Sequence, residues 1–335
     1  MTAATSAQGN RYLANAKRLV GSQEGILALL LMLLIIGVGL YNPRFVTERN
    51  LTDVFNANAY IAVAAIGISM IIITGNIDIS VGAAIGVLVA LSGTLAEQMS
   101  AAGIAGPIVL AAAWIAPLFG GMLISGINGF FVAYLKIPAI VVTLGTFSIL
   151  KGGLILVAGG STISALPDGY SIAQQDLLGI PVPIWVMIVL TVVAFAWMRW
   201  SRTGRSQYAI GGNAEAARLS GIDTRRQLMV TFLVAGMFYG VAAVMFATQY
   251  NTLQTVVTPG LELQVITAAV VGGVSILGGI GTVIGSTLAA ILIRTIGAAL
   301  VFVDISPFWL KAILGVLILV TVLADVIRRR RQERQ

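Results

Sequence analysis

Residues 25–40 read GILALLLMLLIIGVGL, a run without a charged side chain. The run is apolar on every face of a helix, whereas a strand that crosses a membrane alternates in polarity. A hydrocarbon core about 30 Å thick requires roughly 20 apolar residues per helix. The stretch therefore predicts a membrane-spanning helix at the start of the chain.

The rest of the chain repeats this pattern. Of its 335 residues, 58% are hydrophobic and 10% are charged, whereas a soluble domain carries roughly 25% charged residues. We predict an all-α polytopic membrane protein of about ten transmembrane helices with broken or re-entrant glycine-rich hairpins. The segments are expected at about 25–41, 56–74, 80–96, 107–124, 138–158, 184–200, 228–248, 263–274, 281–301 and 308–327.

The basic residues fix the orientation of these segments. With the N-terminus inside, 15 of the 20 Lys and Arg residues lie inside and only Arg44 and Arg49 lie in outside loops, as the positive-inside rule requires. We therefore predict cytoplasmic termini and an uncleaved first helix. The domains are a cytoplasmic segment 1–24, a transmembrane domain 25–327 with a cytoplasmic segment 201–227, and a basic tail 328–335.

Missing residue types exclude several functions. The chain contains no Cys and no His, which excludes thiol and imidazole catalysis and the usual zinc ligand sets. Each of the four lysines follows Ala or Leu, so none completes a Gly-Lys phosphate-binding loop. We expect no catalytic residues, metal or cofactor, and the net charge of +7 reflects cytoplasmic loops rather than a nucleic-acid partner.

Two regions, around Gly75 and Gly272, place apolar stretches next to each other with almost no polar loop between them. Each is expected to form a broken helix or tight hairpin. Non-helical backbone at membrane depth requires protein or a water-filled cavity to satisfy its amides. Both regions are therefore predicted to line the interior of the bundle, either as substrate pathway or as close helix packing.

Residues 211–222, GGNAEAARLSGI, form the centre of the cytoplasmic segment 201–227. Asn213 is suited to cap a helix, Glu215 lies in its first turn, and Gly221 is suited to end it in a left-handed conformation. We predict a short rigid helix that projects from the membrane, either a docking element or an ordinary amphipathic loop helix.

Five stretches, taken together, resemble one family. With residues 211–222 they are 75–82 (GNIDISVG), 137–146 (IPAIVVTLGT), 260–263 (GLEL) and 271–279 (VGGVSILGG). These motifs, in this order, resemble those of the permease subunits of bacterial ABC sugar importers of the ribose, xylose and galactose type. That type belongs to the branched-chain-amino-acid/monosaccharide permease superfamily. Asn76, Gln264 and Ile280 depart from the usual family pattern and leave the cargo open.

The resemblance implies ABC ATPase subunits, a second permease subunit and a periplasmic sugar-binding protein as partners, in the bacterial inner membrane. The cargo expected is a pentose, hexose or deoxyhexose, with a furanone of the autoinducer-2 type, a nucleoside or a branched-chain amino acid as alternatives. An ion-coupled secondary transporter is disfavoured because no acidic residue lies in the middle of a predicted helix. The residues implied in ATPase coupling are Gly212, Asn213, Glu215, Ala216, Arg218, Ser220 and Gly221.

Sugar hydroxyls require several neutral donors and acceptors. The candidate pathway residues are Asn56, Asn58, Ser69, Asn76, Asp78, Thr143, Thr146, Lys151, Gln249, Asn251, Glu262 and Gln264. Most could equally bond neighbouring helices, Asp78 could cap a helix, and the stem of Lys151 could reach an interface. Arg294 raises the same question as Lys151, without support from the family pattern.

Overall fold

A computed structural model describes residues 22–254 and 259–332. The basic residues Arg11, Lys17 and Arg18 lie outside the described residues, as does most of the predicted segment 1–24. The helices are, in chain order, α1 Gln23–Tyr41, α2 Glu48–Ile73, α3 Val81–Ala101, α4 Gly106–Ala133, α5 Ala139–Ala158, α6 Val182–Trp200, α7 Arg202–Gly212, α8 Ala214–Leu219, α9 Thr224–Ala247, α10 Leu261–Val271, α11 Val283–Phe302 and α12 Trp309–Gln332.

Nine of these helices are long and apolar enough to cross a membrane, counted over the described residues. They coincide with nine predicted segments, and α10 occupies the position of the remaining one. The prediction of an all-α polytopic membrane protein is confirmed. The bounds differ at α2, which begins at Glu48 rather than Asn56, and at α4, which continues to Ala133.

Short strands lie only between helices in the described chain. β1 (Thr162–Ile163) pairs with β4 (Leu253–Gln254), and β2 (Asp176–Leu177) pairs with β3 (Ile180–Pro181), both antiparallel. Two 3-10 turns cover Pro43–Val46 and Ile172–Gln174. The amphipathic helix α7 was not predicted, because a polar cytoplasmic stretch gives no transmembrane signal.

Helix α2 forms the centre of the bundle, and 89% of the residues in its apolar 18-residue stretch are buried. It packs against α9 and α11, and α9 packs in turn against α4. Glycines allow the close approach of α4 and α9, because a Cβ on Gly121 would overlap the Gly236 carbonyl oxygen and a Cβ on Gly236 would overlap that of Gly121.

Helix α10 is too short to cross a membrane, since eleven residues extend only about 16 Å. In the preceding strand β4, Leu253 is buried and packs against the position of Gly93 in α3, while Gln254 is exposed. The first turn of α10 then packs through Glu262 against Gly82, near the start of α3. The chain therefore re-enters the bundle between α9 and α10.

The segment between α2 and α3 also turns back into the bundle. Gly75 adopts a left-handed φ of +79° just after α2. Asp78, three residues further on, is fully buried. Both glycine-rich regions are thus non-helical and packed against helices, although Gly75, Leu277 and Ile280 are exposed, and their role as pathway lining stays a prediction.

We predict that Gly121→Ala destabilises the protein by about 1–3 kcal/mol, because the added methyl group overpacks the α4–α9 contact. Gly37→Ala is the matched control, since nothing lies within 4 Å of a Cβ at that position of α1. Thermal unfolding of the purified protein in detergent measures the difference. Equal midpoints for the two variants would contradict the packing role of Gly121.

The predicted topology places Ser171 and Ser206 on opposite sides of the membrane. Ser171 precedes the 3-10 turn Ile172–Gln174, and Ser206 lies in α7. Because the native chain contains no Cys, single substitutions Ser171→Cys and Ser206→Cys report accessibility without background. An impermeant maleimide added to intact spheroplasts should label position 171 and leave position 206 unlabelled until the membrane is opened. Labelling of both from one side would disprove the ten-segment topology.

Candidate functional site

Helix α8 is a short exposed helix with defined ends. The Asn213 side chain accepts a 2.9 Å hydrogen bond from the Ala216 amide and caps the helix. At the other end Gly221 has a φ of +84°, and the amides of Gly221 and Ile222 bond back to the carbonyls of Arg218 and Ala217. This is a complete left-handed helix stop. The structure thus contains the cap, helix and stop that the sequence predicts.

The outer surface of α8 carries a charged pair and an apolar side chain. Arg218 donates to Glu215 at 2.6 Å, and both side chains are about two-thirds exposed, at 64% and 67%. This hydrogen bond lowers the pKa of Glu215 and raises that of Arg218, so both groups stay charged at neutral pH. Leu219 is 77% exposed beside them. Only Ala217 of α8 faces inward and is buried.

The end of α7, just before α8, contacts both glycine-rich regions. The Gly279 amide donates a 2.8 Å hydrogen bond to the Ile73 carbonyl oxygen at the end of α2. Gly211 lies over this bond so closely that a Cβ there would overlap both groups, and a Cβ on Gly278 would come within 2.9 Å of the Gly211 oxygen and the Gly75 Cα. We call Gly75, Gly211, Gly278 and Gly279 the glycine junction.

The loop between α10 and α11 is held from three other sides. Ser275 donates to Asp325 of α12 at 2.6 Å, and Thr282 donates to Glu24 of α1 at 2.6 Å. The Tyr208 hydroxyl of α7 donates to the Gly281 carbonyl at 2.9 Å. Sequence reasoning did not find these contacts, because each joins residues distant in the chain. The loop is therefore anchored by the first and last helices and by α7.

Asp78 belongs to a buried polar network. Its Oδ1 accepts hydrogen bonds from the amide and hydroxyl of Ser80, at 2.8 and 2.5 Å. Ser80 accepts from Asn128 at 3.0 Å, and Asn128 accepts from Thr146 at 2.6 Å. Thr143 accepts from the Ile79 amide at 3.1 Å. These contacts fix the segment before α3 against α4 and α5, and Asp78 serves as a turn residue rather than as the cap itself.

A second polar cluster surrounds Arg294, in the middle of α11. Its Nε donates to Asn58 Oδ1, and its Nη1 donates to Gln264 Oε1 at 3.0 Å. Asn58 lies on α2 and Gln264 on α10, so the guanidinium joins three helices. The structure thus brings two predicted pathway residues together around a third residue that had no family support.

The other predicted pathway residues are dispersed. The Ser69 hydroxyl donates to the Ala65 carbonyl oxygen of its own helix and lies 2.7 Å from the Ser286 hydroxyl, an interhelical contact. The Asn76 side chain bonds locally to Thr74. Gln249 donates to the Asn56 carbonyl at 2.9 Å, and Asn251 accepts from Ser171 and Gln174 on the outer surface. Lys151 is exposed on α5, with its ammonium 5.3 Å from the centre of the Phe147 ring.

No group of three or more acidic, His or Cys side chains that could hold a metal ion was found among the residues with described positions. The side-chain donors of the Asp78 network and the Arg294 cluster are amides, hydroxyls and one guanidinium. Their chemistry suits hydrogen bonding to a polar solute. Together with the apolar spans, this arrangement defines the chain as a multi-pass membrane protein built to move a solute.

Comparison with known proteins agrees with this class. The family model described as branched-chain amino acid transport system/permease component matches residues 50–322. The chain is 33% identical over 310 residues to the autoinducer 2 import system permease protein LsrC of Salmonella typhi, covering 92% of this chain and 87% of the relative. It is 34% identical over 314 residues to LsrC of Escherichia coli (strain K12 / DH10B), covering 92% and 88%. No solved structure matches.

The chain belongs to the family of branched-chain amino acid transport system permease components. It is a permease subunit of an ABC importer, a multi-pass protein of the bacterial inner membrane. The resemblance stated from the sequence motifs is confirmed.

We predict that Gly211→Ala uncouples transport, because the new methyl group would displace either the end of α2 or the Gly279 loop. Gly37→Ala is the matched control, since a Cβ on Gly37 of α1 meets nothing within 4 Å and the position lies outside the coupling segment. Solute uptake should fall at least several-fold in the first variant only, while membrane insertion of both remains normal. Identical uptake by the two variants would contradict a functional role for the junction.

Proposed function

We propose that this chain translocates a monosaccharide through an ATP-driven importer. In this assembly a separate ATPase subunit docks on α8, a periplasmic binding protein delivers the solute, and a second permease subunit completes the path. The observation that carries the proposal is that α8, a rigid exposed helix, directly follows the end of α7, where Gly211 packs on both glycine-rich segments. A displacement of α8 would therefore be transmitted through Gly211 to both glycine-rich segments.

The surface of α8 supports its proposed role in docking. An exposed leucine beside a charged pair offers an apolar anchor surrounded by polar contacts, the usual composition of a protein interface. Gly212, Asn213, Ala216, Ser220 and Gly221 shape or cap the helix, and Glu215, Arg218 and Leu219 supply its outer contacts. The proposal thus gives separate roles to the residues predicted in the coupling segment.

The exposed position of Lys151 supports the proposal that a second permease subunit packs on α5. The exposed face of α5 combines this cation with large apolar side chains, among them Ile149 at 73% and Val157 at 90% exposure. A cation in the middle of a spanning helix is costly in lipid and usually faces a cavity or a partner. A second subunit packed on this face would cover its apolar side chains, and a polar path between the two subunits would solvate the Lys151 ammonium.

Autoinducer 2 is the second candidate cargo, favoured by the similarity to LsrC, an autoinducer 2 import system permease protein. Uptake assays with radiolabelled D-ribose and with autoinducer 2 separate the two candidates. Both require the ATPase and binding protein that are to be recovered by affinity purification of this chain in mild detergent. Accumulation of solute by the purified chain alone, in vesicles without an ATPase, would refute the proposal.

We predict that Glu215→Lys and Arg218→Glu each uncouple uptake from ATP hydrolysis while the protein still inserts. The reason is that each variant changes the charge presented to the ATPase. The double variant Glu215→Arg/Arg218→Glu keeps an ion pair within α8 but reverses it on the surface. Uptake and ATPase co-purification are measured for all three.

A docking role requires that the double variant remain uncoupled. Recovery of uptake in the double variant would show that the pair only stabilises the helix. Normal uptake in both single variants would remove the charged pair from the docking surface altogether.

A further inference from the structure

Arg294 is a cation without an acidic partner. It lies in the middle of α11, and in the part of the chain that the structure describes the ion pair found is that of Arg218 with Glu215. Arg294 is half-buried, whereas Asn58 beside it is 8% exposed. An intramembrane arginine is expensive, and it normally faces a bundle interior or a water-filled cavity.

The partners of Arg294 orient its charge without neutralising it. Asn58 and Gln264 each offer one amide oxygen to the guanidinium. A guanidinium has further N–H donors and no acceptor, and these further donors have no protein partner among the described residues. The group is therefore positioned by two helices and keeps donors available for oxygen atoms of another molecule.

Aromatic rings lie next to the same group. Tyr60 is close enough to interact electrostatically with Arg294 and with Tyr250. The Tyr60 and Phe246 ring centres are 4.9 Å apart, and those of Phe246 and Tyr250 are 5.4 Å apart. Small-molecule sites commonly combine such aromatic walls with a few placed polar groups. Tyr250 is 46% exposed and so keeps part of this wall accessible.

We propose that Arg294, positioned by Asn58 and Gln264, binds an oxygen atom of the transported solute. The inference rests on the proposed function and assigns a residue to its solute path. The guanidinium donors that have no partner among the described residues require acceptors, which the hydroxyl, carbonyl and ether oxygens of a sugar or a furanone supply.

A merely structural role for Arg294 makes the opposite prediction for one variant. Gln264→Glu preserves the shape of the side chain and places a carboxylate against the guanidinium. A charge-assisted pair is stronger than the original hydrogen bond, so a role limited to joining α10 and α11 would be preserved or strengthened. A solute-binding role would be lost, because the carboxylate occupies and neutralises the cation.

The test uses the whole importer, reconstituted in proteoliposomes with its ATPase and binding protein. The probes are radiolabelled D-ribose, autoinducer 2 and L-leucine. We expect ATP-dependent uptake of an oxygen-rich probe by the wild type, and a fall of roughly tenfold or more in Arg294→Gln and Gln264→Glu, the loss expected for one hydrogen bond to a charged group. Arg294→Lys should retain an intermediate rate, and Arg49→Gln, an exposed arginine at the outer end of α2, should not change uptake.

Thermal unfolding and ATPase co-purification show whether each variant is folded and assembled. Wild-type uptake by Gln264→Glu would overturn the inference. Preferential uptake of L-leucine, or failure of the wild type to transport either oxygen-rich probe, would contradict the proposed cargo. Loss of ATPase co-purification from the wild type contradicts the proposed function instead, whatever the probes show. If Arg294→Gln fails to assemble, Gln264→Glu alone decides between the two roles.

Discussion

The hydrogen bond between the Gly279 amide and the Ile73 carbonyl oxygen is the contact on which the arrangement of functional elements depends. It joins the end of the central helix α2 to the loop between α10 and α11. Gly211 packs directly over it, so the end of α7, which leads into α8, lies against the same two backbones. Backbone contacts of this kind leave no flexible side chain to absorb a displacement. Glycine is required because any Cβ would separate the elements.

Helix α10 extends from this contact into the interior. Its C-terminal end continues into the anchored loop, whereas its other end begins at Gly260, in a left-handed conformation with φ of +80°. Gln264 lies on this helix and contacts Arg294. A helix about 16 Å long thus connects the glycine junction to the polar cluster. The continuity is physical, since each step is a covalent link or a packed contact.

The sequence predicts the spanning helices well because lipid imposes one simple requirement, a long apolar run. It also predicts α8, because capping residues act locally. It does not predict that Gly211 packs over Ile73, or that Asp325 and Glu24 hold the same loop, because these partners are far apart in the chain. Nor does residue type separate Thr146, which bonds a neighbouring helix, from Gln264, which bonds an unpaired cation. Only the packing of the helices decides between these roles.

The charges inside the bundle favour ATP-driven transport over ion coupling. Asp78 lies in the turn that leads into α3 and is fully buried, with Ser80 bonded to it. Glu262 lies in the first turn of α10. Each acid lies in or just before the first turn of a helix, where the helix dipole stabilises a negative charge, and one oxygen of each, Asp78 Oδ2 and Glu262 Oε2, is buried without a hydrogen-bond partner among the described residues. Arg294, in contrast, lies in the middle of a helix, where no such end effect acts. A cation at this position suits the binding of oxygen atoms and not the carriage of protons or sodium ions.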